Sequence, residues 1–147
     1  MQTIQALFSN RVLLSGLVGW GAAQVLKTMD LTRIFGDGGM PSGHSATVCA
    51  VATSAGIIYG LDSFPFAISV IVAIIVMHDA MGVRHETGEQ AKVLNQMIEE
   101  WIDISEKNSP FLQNMHLKEM VGHTPLQVMA GMVVGIVVGC LYPMHLV

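Results

Sequence analysis

The chain has 147 residues, of which 52% are hydrophobic and 12% charged, with a mean hydropathy of +0.55 and a formal charge of −4 at pH 7. Soluble domains carry about 25% charged residues, so this composition excludes an ordinary water-soluble globular domain. The negative charge, with no basic patch, argues against a nucleic-acid partner.

Charge placement marks out the elements. Arg11 and Lys27 enclose 15 uncharged residues, Asp37 and Asp62 enclose 24, Asp62 and Asp79 enclose 16, and 28 follow Glu119. A membrane-crossing helix needs about 20 mostly apolar residues, with about 17 at the short end. The first and third segments reach that length when flanking residues join them. The expectation is an all-α integral membrane helical bundle of about four transmembrane helices plus one amphipathic interfacial helix, forming a single domain over residues 1–147. A soluble bundle with buried apolar helices fits less well, because residues 64–77 show no polar face. A signal peptide over residues 1–26 is disfavoured by the late position of its basic residue, Arg11.

In chain order, a first span covers residues 12–26, followed by a polar loop over 27–41 that contains Gly36, Gly38 and Gly39. A second span starts at Ser42 or Gly43 and ends before Gly60-Leu61-Asp62. A tight turn through Ser63, Phe64 and Pro65 leads to a third span ending between His78 and Gly82, so these two form a hairpin across the bilayer. Residues 89–104 place Val93, Leu94, Met97, Ile98, Trp101 and Ile102 at three- and four-residue spacings, opposite Glu99, Glu100 and Asp103. This predicts an amphipathic helix at the interface or against the bundle. A connector from Pro110 and Phe111 leads to His123-Thr124-Pro125, a helix start with proline in its first turn. The last span then runs to about Tyr142. In it Gly131, Gly135 and Gly139 repeat every four residues, allowing another helix to approach closely. That partner is either the second and third spans of the same chain or a second copy in a homodimer.

Alternation of spans puts the loop after the first span, the end of the third and the start of the fourth on one membrane face. Lys27, Arg33, His44, Arg84 and His123 therefore share a side. Lys92, Lys107 and Lys118 lie on that side too, with Arg11 opposite, so the positive-inside rule predicts a cytoplasmic site in a bacterial plasma (inner) membrane.

These residue types suit phosphate chemistry. Helix N-termini offer oriented amides to an anion, and arginine offers a planar, permanently charged fork. Histidine attacks phosphorus or protonates a leaving alkoxide near neutral pH. The small Ser42 and Gly43 let backbone amides approach a phosphate, and His44 projects from the first turn behind them.

The ordered set of Lys27 and Arg33, then Gly39-Met40-Pro41-Ser42-Gly43-His44-Ser45-Ala46, then Asp79-Ala80-Met81-Gly82-Val83-Arg84 with Gly88 and Gln90-Ala91, then Gly122-His123-Thr124-Pro125-Leu126-Gln127 resembles the type 2 phosphatidic acid phosphatase superfamily. That superfamily also includes vanadium haloperoxidases, and the resemblance is to its small, divergent membrane branch, from Lys27 to Gly139. It implies a phosphatase without metal or other cofactor, in which His123 attacks phosphorus and His44 protonates the leaving oxygen. Lys27, Arg33, Arg84 and the amides near Ser42 and Gly43 hold the phosphoryl oxygens. It also implies a lipid phosphate as substrate, such as phosphatidylglycerophosphate or phosphatidic acid, taken from the surrounding membrane lipid. Polyprenyl diphosphate is the alternative were the site outward-facing.

Three positions depart from the superfamily pattern. Gln127 stands where an aspartate orients the nucleophilic histidine, five residues instead of six separate Lys27 from Arg33, and Arg84 lies 39 residues before His123. On a continuous helix Gln127 would share a face with His123 and accept a hydrogen bond from its ring, but without the carboxylate's charge. Replacing such a carboxylate by an amide in a serine-protease triad costs about 10⁴ in turnover. Asp79 and Glu119 are the neighbours that supply the missing charge in the catalytic reading.

Each residue has a plainer reading. Lys27 and Arg33 serve equally as interfacial anchors, Asp79 as a structural partner of Arg84, and the two histidines as satisfied core residues. His78, His85 and Glu86 lack a convincing metal-ligand spacing. Cys49, Cys140 and the eleven methionines read as apolar filler. The resulting expectation is a membrane lipid phosphate phosphatase. Its rival is a catalytically weak or inactive scaffold that retains the anion pocket, and haloperoxidase activity is a weaker alternative.

Overall fold

A computed structural model describes residues 2–28, 39–104, 117 and 122–144. Their helices are α1 (Gln2–Phe8), α2 (Arg11–Thr28), α3 (Gly43–Tyr59), α4 (Phe64–Met81), α5 (Val83–Ile104) and α6 (Pro125–Met144). There is no strand among the described residues, and the fold is an all-α membrane bundle.

Local chemistry sets the boundaries. Asn10 starts α2 by accepting the Leu13 N–H on its side chain at 3.1 Å. Gly60, at φ 92°, ends α3 with its N–H on the Gly56 carbonyl. Three residues later Ser63 caps α4 by accepting the Phe66 N–H at 3.3 Å. The hairpin expected at 60–65 is therefore the one formed.

Helix α3 is the centre of the bundle, because it is lined with residues small enough to be approached from three sides. Ala46, Cys49, Ala50, Ala52, Ser54 and Ala55 are all buried, between α2, α4 and α6. From α2, a Cβ on Gly19 would stand 2.9 Å from both the Ala46 carbonyl oxygen and the Ala50 Cβ. The Ser15 hydroxyl lies 2.8 Å from the Val12 carbonyl and 3.3 Å from that of Ala50. From α6, Gly131, Gly135 and Gly139 seat against Ser42, Ala46 and Ala50 in turn. The glycine stripe is thus used within the chain, against α3. Because these numbers rise together, α3 and α6 run parallel and start at the same end.

Large apolar side chains point the other way. Ile71, Ile74 and Ile75 of α4 and Val133 and Val137 of α6 are each half or more exposed. Small residues inside and large apolar ones outside are what a lipid solvent selects, since helices there associate through close packing and not by escaping water. Two helices, in the run Phe64–Trp101 and in Pro125–Pro143, are long and apolar enough to cross a membrane by length and composition. Helix α3 has 17 residues, about 25 Å at 1.5 Å per residue.

Helix α5 differs from expectation at its start. It begins at Val83, six residues earlier than its charge pattern suggests, directly after Gly82 closes α4 with its N–H on the His78 carbonyl at 2.8 Å. The Gly82 carbonyl in turn accepts the Glu86 N–H at 3.0 Å, so one residue ends a helix and begins the next. Its buried face is Gly88, Ala91 and Asn95, whereas Val93, Leu94, Met97 and Trp101 are exposed. The α1 turn was not expected from sequence, being only 7 residues long.

Candidate active site

The parallel course of α3 and α6 brings two helix N-termini to one end of the bundle. The Ser42 N–H donates to the Gln127 carbonyl at 2.9 Å, tying the start of α3 to the first turn of α6. Helix N-termini carry partial positive charge, and two of them side by side favour an anion.

Ser42 is fully buried and caps α3, its hydroxyl accepting from the Ser45 N–H at 3.4 Å and lying 3.1 Å from the Ser45 hydroxyl. Ser42 therefore builds the turn: its amide donates to the Gln127 carbonyl, and its hydroxyl and carbonyl accept the Ser45 and Ala46 N–H groups. The Met40–Pro41 peptide in this turn is cis. Gly43 lies against α2, where a Cβ would meet Trp20 at 3.5 Å and Gln24 Nε2 at 3.6 Å. His44, next along, is exposed.

His123 is 4% exposed. It precedes the helix, because α6 begins at Pro125, and its backbone N–H donates to the Ala80 carbonyl at 3.0 Å in the last turn of α4. The rings of His44 and His123 meet edge to face, with centroids 5.8 Å apart and planes at 83°. The two histidines singled out by sequence are therefore in contact, one buried and one exposed.

Gln127 is placed differently from the helical-face expectation. Its side-chain oxygen accepts the Thr124 N–H at 3.0 Å while its own N–H lies 3.4 Å from the Thr124 hydroxyl, a reciprocal capping box that fixes the start of α6. His123 lies outside the helix, so the shared face on which an orienting contact rests does not form.

Lys27 ends α2 and is 8% exposed, with its Cδ 4.0 Å from the point a Cβ on Gly39 would occupy. It thus stands beside the turn that leads to His44. Asp79 is partly buried and adjoins Ala80, whose carbonyl holds His123. Arg84 lies in the first turn of α5. Arg33 and Glu119 lie outside the described residues. Among the described residues no group of three or more His, Cys, Asp or Glu side chains is placed to hold a metal ion.

Sequence reasoning placed Thr124 at the helix start but missed its pairing with Gln127, and it missed the Ala80 carbonyl that holds His123. Thr124 was legible, since a threonine three residues before a glutamine at a helix start is a capping-box signature. Ala80 acts through its carbonyl, which no side-chain pattern reveals.

A sequence profile described as the Divergent PAP2 family matches residues 8–138. An uncharacterized membrane protein of Bacillus subtilis (strain 168), YuiD, is 38% identical over 145 residues, covering 88% of this chain and 92% of its own length. No solved structure matches the chain.

Proposed function

Because the chain belongs to the Divergent PAP2 family, we propose that it is a membrane lipid phosphate phosphatase acting through a phosphohistidine intermediate. The observation that carries this is the edge contact of His44 and His123 at 5.8 Å, where two parallel helices begin.

In this reading His123 attacks phosphorus, forming an N–P bond as the P–O bond to the lipid alkoxide breaks. His44 gives that alkoxide its proton. Water then attacks the phosphohistidine while His44, now neutral, accepts its proton, and the N–P bond breaks to release inorganic phosphate. Burial and the Ala80 hydrogen bond hold the nucleophile in place, while the exposed His44 swings outward to admit the phosphoryl group. The Gly43 amide at the start of α3, with Lys27, Arg33 and Arg84, neutralises the oxygens. Asp79, one residue from the carbonyl that holds His123, supplies the charge that Gln127 lacks.

The substrate is a phosphomonoester lipid of the phosphatidylglycerophosphate or phosphatidic acid type. The α2, α3, α4 and α6 helices all cross the bacterial plasma membrane, with the site at its cytoplasmic face, and no cofactor takes part. The test is phosphate release from a panel of lipid phosphates by detergent-purified protein beside His123→Ala. Release from the parent that vanishes in the variant supports the phosphatase.

One observation favours a second reading. With Gln127 engaged in the α6 cap, no residue at that position orients His123, and the chain would then be an anion-binding membrane scaffold. Phosphate binding without release from any lipid would select it.

A further inference from the structure

Asn95 lies on the buried face of α5 with Gly88 and Ala91, and it is 5% exposed. Burying an amide without hydrogen-bond partners is unfavourable, so its surroundings have to satisfy it. Two of its bonds go to one residue: Nδ2 donates to the Leu117 carbonyl at 2.9 Å, and Oδ1 accepts the Leu117 N–H at 2.9 Å. Both bonds are to the backbone of a single residue, as a neighbouring strand would make them. Such a contact fixes the position and direction of the chain whatever side chain residue 117 carries.

Leu117 lies six residues before His123, whose own N–H is held by Ala80. With Leu117 fixed, only residues 118–122 separate two anchored points. Without it, the chain between α5 and His123 is residues 105–122, and the entropy lost in closing a segment rises with its length.

We propose that Asn95 is a positioning residue that sets the approach of the connector carrying His123 into the site. The role in turnover rests on the phosphatase reading. The clamp itself does not.

The experiment uses the full chain in detergent, with Asn95→Ala, Asn95→Asp and, as a control on the exposed side of the same helix, Gln96→Ala. Amide hydrogen exchange is followed at Leu117 and His123 and in α3 and α6, together with thermal unfolding and kcat and KM for phosphate release. Asn95→Ala is expected to speed exchange at Leu117 and His123 about tenfold, with α3 and α6 unchanged. It should lower kcat by about tenfold or more at near-constant KM, since small misplacements of a reacting group act on the chemical step. Asn95→Asp keeps the acceptor for the Leu117 N–H and should fall between the parent and alanine, so it carries the test where the alanine variant does not fold. Gln96→Ala should match the parent. Unchanged exchange at Leu117 and His123, or a uniform rise across α3 and α6 that accounts for all lost activity, overturns the proposal. Selective exchange in a chain that releases no phosphate upholds the clamp and overturns the phosphatase reading instead.

Discussion

The backbone N–H of Ser42 donates to the carbonyl of Gln127 at 2.9 Å, joining two helix starts that lie 85 residues apart in sequence. A helix carbonyl in the first turn ordinarily accepts from the residue four positions on, and its second lone pair is free for such a bond. The contact requires α6 to lie against the very beginning of α3, and Gly131 permits this, since a Cβ there would fall 2.3 Å from the Ser42 carbonyl oxygen.

Gly131→Ala should therefore separate the two helix starts. The displaced atoms are backbone, which cannot swing aside, and overpacking of this kind costs about 1–3 kcal/mol. Gly21 of α2 makes the control, because nothing lies within 4 Å of its Cβ position. Gly21→Ala should be neutral or stabilising by about 0.5–1 kcal/mol. Thermal unfolding in detergent separates the pair, and equal melting temperatures would contradict the close seating of α6 on α3.

The roles assigned to the two histidines predict different dependence on the leaving group. His123→Ala should abolish release from every phosphate ester. His44→Ala should lower release from lipid phosphates by about 10²–10⁴, yet lose far less with an aryl phosphate whose leaving group departs without a proton. Equal losses on both substrates would remove His44 from the role of acid.

Much of this arrangement was legible in sequence, because it follows from composition and local chemistry. The glycines of α6 read directly as close packing, and the turn through Ser63, Phe64 and Pro65 as the break between the hairpin helices. What was not legible depended on tertiary placement. Gln127 was expected on a face shared with His123, but Thr124 and Pro125 start the helix two residues later and claim the glutamine as a cap. Val83 was expected in a loop, but Gly82 completes one helix and opens the next. The apolar stripe of α5 faces outward, as the expected interfacial helix requires, while the inward packing of Gly88, Ala91 and Asn95 carried no sequence signal.

The capping box makes Gln127 testable apart from catalysis. Thr124→Ala should cost about 1 kcal/mol, and Gln127→Ala a similar amount. The double variant should cost less than the sum, since each single change breaks the same reciprocal pair. Gln127→Glu preserves the cap, which accepts glutamate as readily, and adds a carboxylate to the first turn of α6. A phosphatase should keep or gain turnover in Gln127→Glu, whereas a scaffold that has lost catalysis for other reasons should remain silent, and phosphate release decides between them.

Lys27 provides a test of the anion pocket that does not depend on turnover. A lysine 8% exposed at the end of α2 keeps its charge where it meets a partner or a ligand, and its place beside Gly39 puts it next to the α3 turn. A ligand that binds the folded state alone stabilises it by RT ln(1 + [L]/Kd), about 2.7 kcal/mol at a hundredfold excess over Kd. Inorganic phosphate should therefore raise the melting temperature of the parent with concentration. Lys27→Met keeps most of the apolar stem that packs in the bundle and removes the charge, so it should retain the fold and lose the phosphate response. Retention of the full response in Lys27→Met would assign the lysine to anchoring at the membrane surface. Loss of response in both Lys27→Met and His123→Ala would place the two residues around one anion.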